Sequence, residues 1–318
     1  MLNKTTSTFA ILVFLLLAGC RRERSRVVGV VPKGSNHIFW QTVHAGAVKA
    51  AREYGLTVEW KAPTLEIDSS RQIEIVDSMV NRHLAGIVLA PVDRQALVSV
   101  VERAGREGIP VAIFDSAIDT GKIVSYVATD NAEGGRMAAR RLNLVLGGKG
   151  KVGVVGFMAG SASTMEREEG FERELRKFPG LQYVGLQFGM ADRAKAMAVT
   201  ENMLSAHAGL AGMFADNESS SSGAVQALKS RNVRNVKLVA FDASSQLISD
   251  LRDGWIDALI VQNPFRMGYE STKAIGMHLA GQKPTGNIDS GATLVRKEDL
   301  DKPEIQALLT PDIQSYLK

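Results

Sequence analysis

Polar side chains that could grip a ligand recur at one kind of place in this chain, directly after short apolar runs. Asp115 and Ser116 follow the run 111–114, Asp216 and Asn217 follow 211–214, Asp242 follows 237–241, and Gln262 and Asn263 follow 258–261. Pro91-Val92-Asp93 comes after 86–90, and Pro32-Lys33-Gly34-Ser35-Asn36-His37-Ile38-Phe39-Trp40 comes after 27–31. Carboxylates and side-chain amides each offer two hydrogen-bonding positions, which suits neighbouring hydroxyls, and flat aromatic faces pack against the C–H faces of a sugar. The combination fits a polyhydroxylated small molecule. Taken one at a time, the same residues have plainer roles. Asp and Asn at these points are also ordinary helix N-caps, Phe39 and Trp40 could be core, and Arg167, inside Met165-Glu166-Arg167-Glu168-Glu169, could be a solvated helix-face charge.

The same inspection sets covalent chemistry aside. Gly148-Lys149-Gly150-Lys151-Val152-Gly153 spells G-x-G-x-x-G, but a helical pattern precedes it and a strand pattern follows, the reverse of a dinucleotide site. Ser219-Ser220-Ser221-Ser222 lacks a nucleophile elbow and is expected to cap a helix. The five histidines show no H-x-x-x-H or H-E-x-x-H spacing, so no metal site is expected, and no P-loop is present. No catalytic residue and no cofactor is expected.

Residues that follow strands need strands to hold them. From Val27 onward, short wholly apolar runs alternate with segments of helical periodicity, which means parallel sheets covered on both faces. Strands are expected at 27–31, 56–60, 86–90, 111–114 and 123–128, with helices at 37–54, 69–82, 94–107 and 132–146 between and after them. A second series follows: strands at 152–155, 183–188, 211–214, 237–241 and 258–261, with helices at 164–177, 193–206, 221–230, 245–252 and 266–280. Residues 287–318 are weakly patterned. In such open sheets ligands bind beyond the carboxyl ends of the strands, where the polar residues above fall.

Charge and cysteine usage add the setting. The 38 basic and 34 acidic residues give a net +4, yet from Val27 onward the chain has 33 of each, so no nucleic-acid footprint is expected. The excess lies in Lys4 and the stretch Arg21-Arg22-Glu23-Arg24-Ser25-Arg26. The apolar run 9–17 is too short to span a bilayer, reads as a signal-peptide core, and leads into Leu17-Ala18-Gly19-Cys20. That tetrapeptide resembles the bacterial lipobox, which implies cleavage before Cys20, the chain's single cysteine, and lipid attachment to it.

The joint pattern resembles the periplasmic ribose-binding protein family, the type I sugar receptors that feed ABC importers. The resemblance rests on Phe39-Trp40, Phe114-Asp115, 128–135 (Ala-Thr-Asp-Asn-Ala-Glu-Gly-Gly), 166–171, Phe214-Ala215-Asp216-Asn217-Glu218, Val239-Ala240-Phe241-Asp242 and Gln262. It implies sugar contacts from Asn36 or His37, Phe39, Trp40, Asp115, Arg167, Asn217, Asp242 and Gln262. Two departures argue against assigning ribose itself: the family's ribose binders carry arginine where Ser116 stands, and an aromatic near Ala191 is missing, while Lys33 and His37 are additions at the mouth.

The expectation is an α/β protein of two doubly wound parallel-sheet lobes, a type I periplasmic binding fold with three hinge crossings near 129–130, 262–263 and 286–293. Residues 1–19 form the signal peptide and 20–26 the lipidated tether. The first lobe takes 27–129 plus about 264–290, and the second 130–262 plus about 291–318. The implied protein is a monomer, lipid-anchored at the periplasmic or extracellular face of a bacterial membrane. It would close on a monosaccharide or polyol and deliver it to an ABC importer permease. Presentation of the sugar to a chemotaxis or signalling ectodomain is the alternative. A lactose-repressor-like regulator would need an N-terminal helix-turn-helix, and a signal peptide stands there instead.

Overall fold

The computed structural model describes residues 26–35 and 37–317, so Cys20 and Asn36, both assigned roles above, lie outside the described residues. Two six-stranded sheets form. The first contains β1 (Val27–Val31), β2 (Thr57–Trp60), β3 (Gly86–Leu89), β4 (Val111–Phe114), β5 (Ser125–Ala128) and β11 (Asn287–Asp289), in the order β11-β5-β4-β3-β1-β2, all parallel. The second contains β6 (Gly150–Gly156), β7 (Leu181–Phe188), β8 (Leu210–Ala215), β9 (Lys237–Phe241), β10 (Ala258–Gln262) and β12 (Ala292–Arg296), in the order β12-β10-β9-β8-β6-β7. Its strands are parallel except β12, which runs antiparallel to β10 at the edge. Strands such as Gly86–Leu89 and Val111–Phe114 are buried at every position, as a sheet covered on both faces requires.

The helices are α1 (Ile38–Glu53), α2 (Ser69–Asn81), α3 (Val98–Arg106), α4 (Asn131–Val145), α5 (Ala162–Leu175), α6 (Arg193–Ala206), α7 (Glu218–Ser230), α8 (Ser245–Arg252), α9 (Pro264–Leu279), α10 (Pro303–Leu309) and α11 (Gln314–Leu317). One pair matters for the site. Helices α4 and α5 approach until a Cβ at Gly135 would lie 1.9 Å from the Arg167 carbonyl oxygen, and one at Gly170 would lie 2.2 Å from that of Ala132. Only glycine at both positions permits this contact, and it sets Arg167 beside Asn131.

Among the described residues the chain passes between the sheets three times: after β5 into α4, after β10 into α9, and from β11 through Ser290-Gly291 into β12. The first and third passages are laced together. Thr129 Oγ1 donates to the Gly291 carbonyl at 3.2 Å, and the Asp130 amide donates to Asp289 Oδ1 at 3.2 Å.

Three local expectations change. The weakly patterned stretch 287–318 holds two strands and two short helices, because the three-residue β11 and the partly exposed β12 bury too little to print an apolar run. Residues 314–317 were expected with the second lobe but pack on the first, where Arg52 binds the Ser315 and Tyr316 carbonyls. The serine run does not cap. Asn217 caps α7 and the serines lie inside it, where Ser220 Oγ donates to the Gly156 carbonyl and Ser221 Oγ to that of Phe241, tying the helix to β6 and β9.

Candidate functional site

The carboxyl ends of the two sheets face each other, and between them lies a small cavity lined by residues of both lobes. Every described residue named from the sequence lines it: His37, Phe39, Trp40, Asp115, Arg167, Asn217, Asp242 and Gln262. Six further residues line it that were not expected as sugar contacts: Lys33, read only as an addition at the mouth, and Glu66, Phe157, Ser163, Thr164 and Glu218. Each had a legible cue. Lys33 and Phe157 follow strands, Glu66 lies in the loop after β2, and Glu218 adjoins Asn217. Ser163 and Thr164 stand four and three residues before Arg167, hence on its helix face.

On the first lobe, Asp115 directly follows β4 with φ +61°, a left-handed conformation that turns the carboxylate out of the strand line. No helix follows it to be capped. Its Oδ2 lies 2.8 Å from Lys33 Nζ. Lys33 is not at the mouth, as the sequence suggested, but 4 % exposed. Its ammonium also donates to Ser116 Oγ at 2.7 Å, Ser163 Oγ at 3.1 Å and Ser161 Oγ at 3.3 Å. Ser116 belongs to the first lobe and the other two to the second, so this cation joins the lobes. Ser116 supplies a short hydroxyl where the family's ribose binders are expected to carry arginine, and the positive charge arrives from Lys33, in the loop after β1, instead. Trp40 is at once core and lining: it is buried beside Phe114, at 6.3 Å between centroids, and donates from Nε1 to Glu66 Oε1 at 2.6 Å. Phe39 meets it edge-on at 4.8 Å.

On the second lobe, Arg167 is 2 % exposed, which excludes the solvated helix-face alternative. Nε donates to Asn131 Oδ1 at 2.9 Å and Nη1 to the Asp216 carbonyl at 2.7 Å, while the guanidinium lies over the Phe241 ring at 3.8 Å. Two of its five donors are thus used by the protein. Asp242 follows β9 with φ +69° and accepts from the Glu218 amide at 3.1 Å and Gln262 Nε2 at 2.7 Å. It does not cap α8, whose cap is Ser244. Asn217 does cap its helix, accepting from the Ser220 amide at 3.0 Å, and lines the cavity as well.

Burial governs the electrostatics. It pushes the Asp242 carboxyl up to about 6 against the pull of Arg167 and Gln262. Burial, joined by the neighbouring Asp216 carboxylate, pushes Glu168 far above the usual range, so Glu168 is the protonated member of that pair. His37 lies between lobes, with Nε2 3.4 Å from Glu66 Oε1 and Nδ1 3.0 Å from Glu218 Oε1. Burial alone would lower its pKa, but the Glu218 hydrogen bond and the charges of Glu66 and Glu218 outweigh it and hold the imidazole above its ordinary value. Gln262 Oε1 and Glu218 Oε2 are buried with no hydrogen-bond partner among the described residues. Buried acceptors of this kind are costly to leave unmet, so the cavity favours a guest rich in hydroxyl donors.

Comparison with known proteins agrees with this geometry. A family model described as a periplasmic binding protein domain matches residues 28–283. The chain is 28 % identical over 302 residues to the ribose import binding protein of Bacillus subtilis, covering 91 % of this chain and 97 % of that one. It is similar to a carbohydrate-transporter solute-binding protein from Agrobacterium radiobacter solved with D-arabinose (TM-score 0.87, 30 % identity, 91 % of this chain and 100 % of that one). An ABC-transporter solute-binding protein from Agrobacterium vitis solved with D-fucose matches as well (TM-score 0.87, 31 % identity, 89 % and 100 %).

Proposed function

The chain belongs to the periplasmic binding protein family, among the ribose-binding-protein-like sugar receptors of ABC transporters, and from this premise we propose that it captures a monosaccharide or sugar alcohol between its lobes and delivers it to an importer permease. The observation that carries the reading is the convergence of Asp115 from one lobe with Arg167, Asp242 and Gln262 from the other on one cavity walled by Phe39, Trp40 and Phe157. Charged acceptors and donors each strengthen a hydroxyl hydrogen bond to roughly 1.5–3 kcal/mol, enough in sum to draw the lobes together around a bound guest. Relatives with bound D-arabinose and D-fucose support an aldose of five or six carbons. Export and anchoring through Cys20 complete the proposal and rest on the sequence of residues 1–26.

The experiment is a thermal-shift screen of the purified chain against pentoses, hexoses, 6-deoxyhexoses and polyols, followed by calorimetry. One or two sugars should raise the melting temperature and bind with one-to-one stoichiometry. A chain that binds no member of the panel would overturn the reading.

A further inference from the structure

The stretch 303–317 touches both lobes. Helix α10 is rooted in the second, where Ile305 is buried in one cluster with Leu247, Leu251, Val295 and Leu300, and Leu308 and Leu309 pack against it. Helix α11 is rooted in the first. Arg52 of α1 donates from Nη2 to the Tyr316 carbonyl at 3.1 Å and from Nη1 to that of Ser315 at 3.4 Å, and the Tyr316 ring stands 5.6 Å from Phe265 at the start of α9. Residues 310–313 alone join the two helices, so their anchors can separate by at most roughly 18 Å.

Beneath this span lies a second small cavity, whose walls include Ile38, Phe39, Asp242, Gln262, Leu309 and Pro311. Phe39, Asp242 and Gln262 also wall the first cavity. These three side chains therefore stand as a partition, with the sugar site on one side and an apolar stretch of the 303–317 segment on the other. Pro264, where the chain crosses from β10 to α9, lines the same space, so the span lies across a hinge.

We propose that residues 303–317 form a strap across the hinge that limits how far the lobes open and backs Phe39 against the sugar site, with Leu309 and Pro311 as positioning residues. Rotation that parts the lobes must move the α10 anchor relative to the α11 anchor. The tether between them is short, so a wide rotation has to pull α11 off Arg52 and Phe265. The docking of α11 includes two exposed hydrogen bonds from Arg52, its guanidinium 5.9 Å over the Tyr316 ring and the ring contact with Phe265, surface contacts weak enough to yield. The strap thus favours narrow opening and slow release without locking the hinge. The part concerning Phe39 rests on the proposed sugar site; the part concerning the hinge does not.

The test uses the full chain with Arg52→Ala and Tyr316→Ala combined, which frees α11 without touching the sugar cavity, and Leu309→Ala, which thins the backing of Phe39. Tyr316→Phe serves as the conservative control, since it keeps the ring that Phe265 and the Arg52 guanidinium face and leaves the backbone carbonyls that Arg52 binds. Small-angle scattering of the ligand-free chain should show a larger radius of gyration for the double variant and parent values for Tyr316→Phe. Stopped-flow with the best sugar of the panel should show dissociation about tenfold faster for the double variant and for Leu309→Ala, with association little changed. Unchanged ligand-free scattering in the double variant overturns the strap, as does equal damage from Tyr316→Phe and the double variant. Parent-like dissociation in Leu309→Ala overturns the positioning role. If no sugar binds the parent, the site proposal fails, while the ligand-free scattering still decides the strap.

Discussion

Asp115 and Asp242 hold the same backbone conformation in opposite lobes, at φ +61° and +69°, each immediately after a buried strand-ending phenylalanine, Phe114 and Phe241. Aspartate is among the few side chains that tolerate this left-handed region. The turn takes each carboxylate off the strand axis, and both line the same cavity from opposite lobes.

Asparagine tolerates that conformation, removes the charge and exchanges one acceptor oxygen for an amide donor. Asp115→Asn and Asp242→Asn should each weaken sugar binding by about 2–3 kcal/mol, roughly 30- to 150-fold, and Asp115→Asn should also lower the ligand-free melting temperature because it leaves buried Lys33 without its counter-charge. Alanine at either position should add about 1–2 kcal/mol of backbone strain, visible in the ligand-free melt. Calorimetry and differential scanning on the four variants separate the two effects. Full affinity in both asparagine variants would remove these residues from the site.

Lys33 is the buried cation that completes the first-lobe site. Lys33→Met leaves Asp115 without its counter-charge and strips the donor shared by Ser116, Ser161 and Ser163. Breaking one side of a buried pair costs about 3–5 kcal/mol. Urea unfolding should report a loss of that order, and scattering of the ligand-free variant should report lobes held less closely. A variant as stable and compact as the parent would contradict the cross-lobe role.

Arg167 tests geometry against charge. Arg167→Lys retains the positive charge but cannot reproduce two separately aimed N–H donors with a planar face on Phe241. Affinity should fall at least tenfold, or about 1.4 kcal/mol, despite the conserved charge. Binding equal to that of the parent would mean charge alone suffices there.

Two groups make the stability of the fold sensitive to pH, with the same sign. The raised pKa of His37 means its bridge to Glu66 and Glu218 contributes fully below about 6.5 and fades as pH rises through the raised value. The Asp242 carboxyl, pushed up to about 6 by burial, binds its proton more tightly folded than unfolded, so stability declines as pH rises from about 4 through that value. The ligand-free melting temperature should therefore be higher at pH 5 than at pH 8. His37→Gln should flatten the part of the profile above 6.5, and a profile rising with pH would contradict both assignments.

Cys20 carries the anchoring proposal. Cys20→Ser should abolish lipid labelling and move the protein from the membrane fraction to the soluble fraction, or leave its leader uncleaved. Acyl chains contribute about 0.8 kcal/mol per buried methylene, so the partition change should be plain. Unchanged mass and unchanged membrane association would exclude the anchor.

The alternation of buried strands and helices was legible in the residues alone, and with it the two sheets of mainly parallel strands, because wholly apolar runs such as 86–89 and 111–114 are stable only with both faces covered. It also located the ligand side, because in such sheets only the residues after the strands are free to turn toward a cleft. Asp115, Asp242 and Gln262 were legible for that reason. The choice between capping, core and binding was not, since each role asks for the same residue types at the same spacing. Tertiary structure decided it: Asn217 caps and lines the cavity together, Trp40 is core and wall together, and Arg167 is buried because Gly135 and Gly170 let two helices close to backbone contact. Lys33 shows the limit most clearly. A lysine among loop residues reads as solvated, and its four partners come from two distant segments, Asp115-Ser116 and 161–163, the second of them on the opposite lobe. The strap 303–317 was equally hidden, because weakly patterned residues gain their order only from two surfaces that the rest of the fold has to build first.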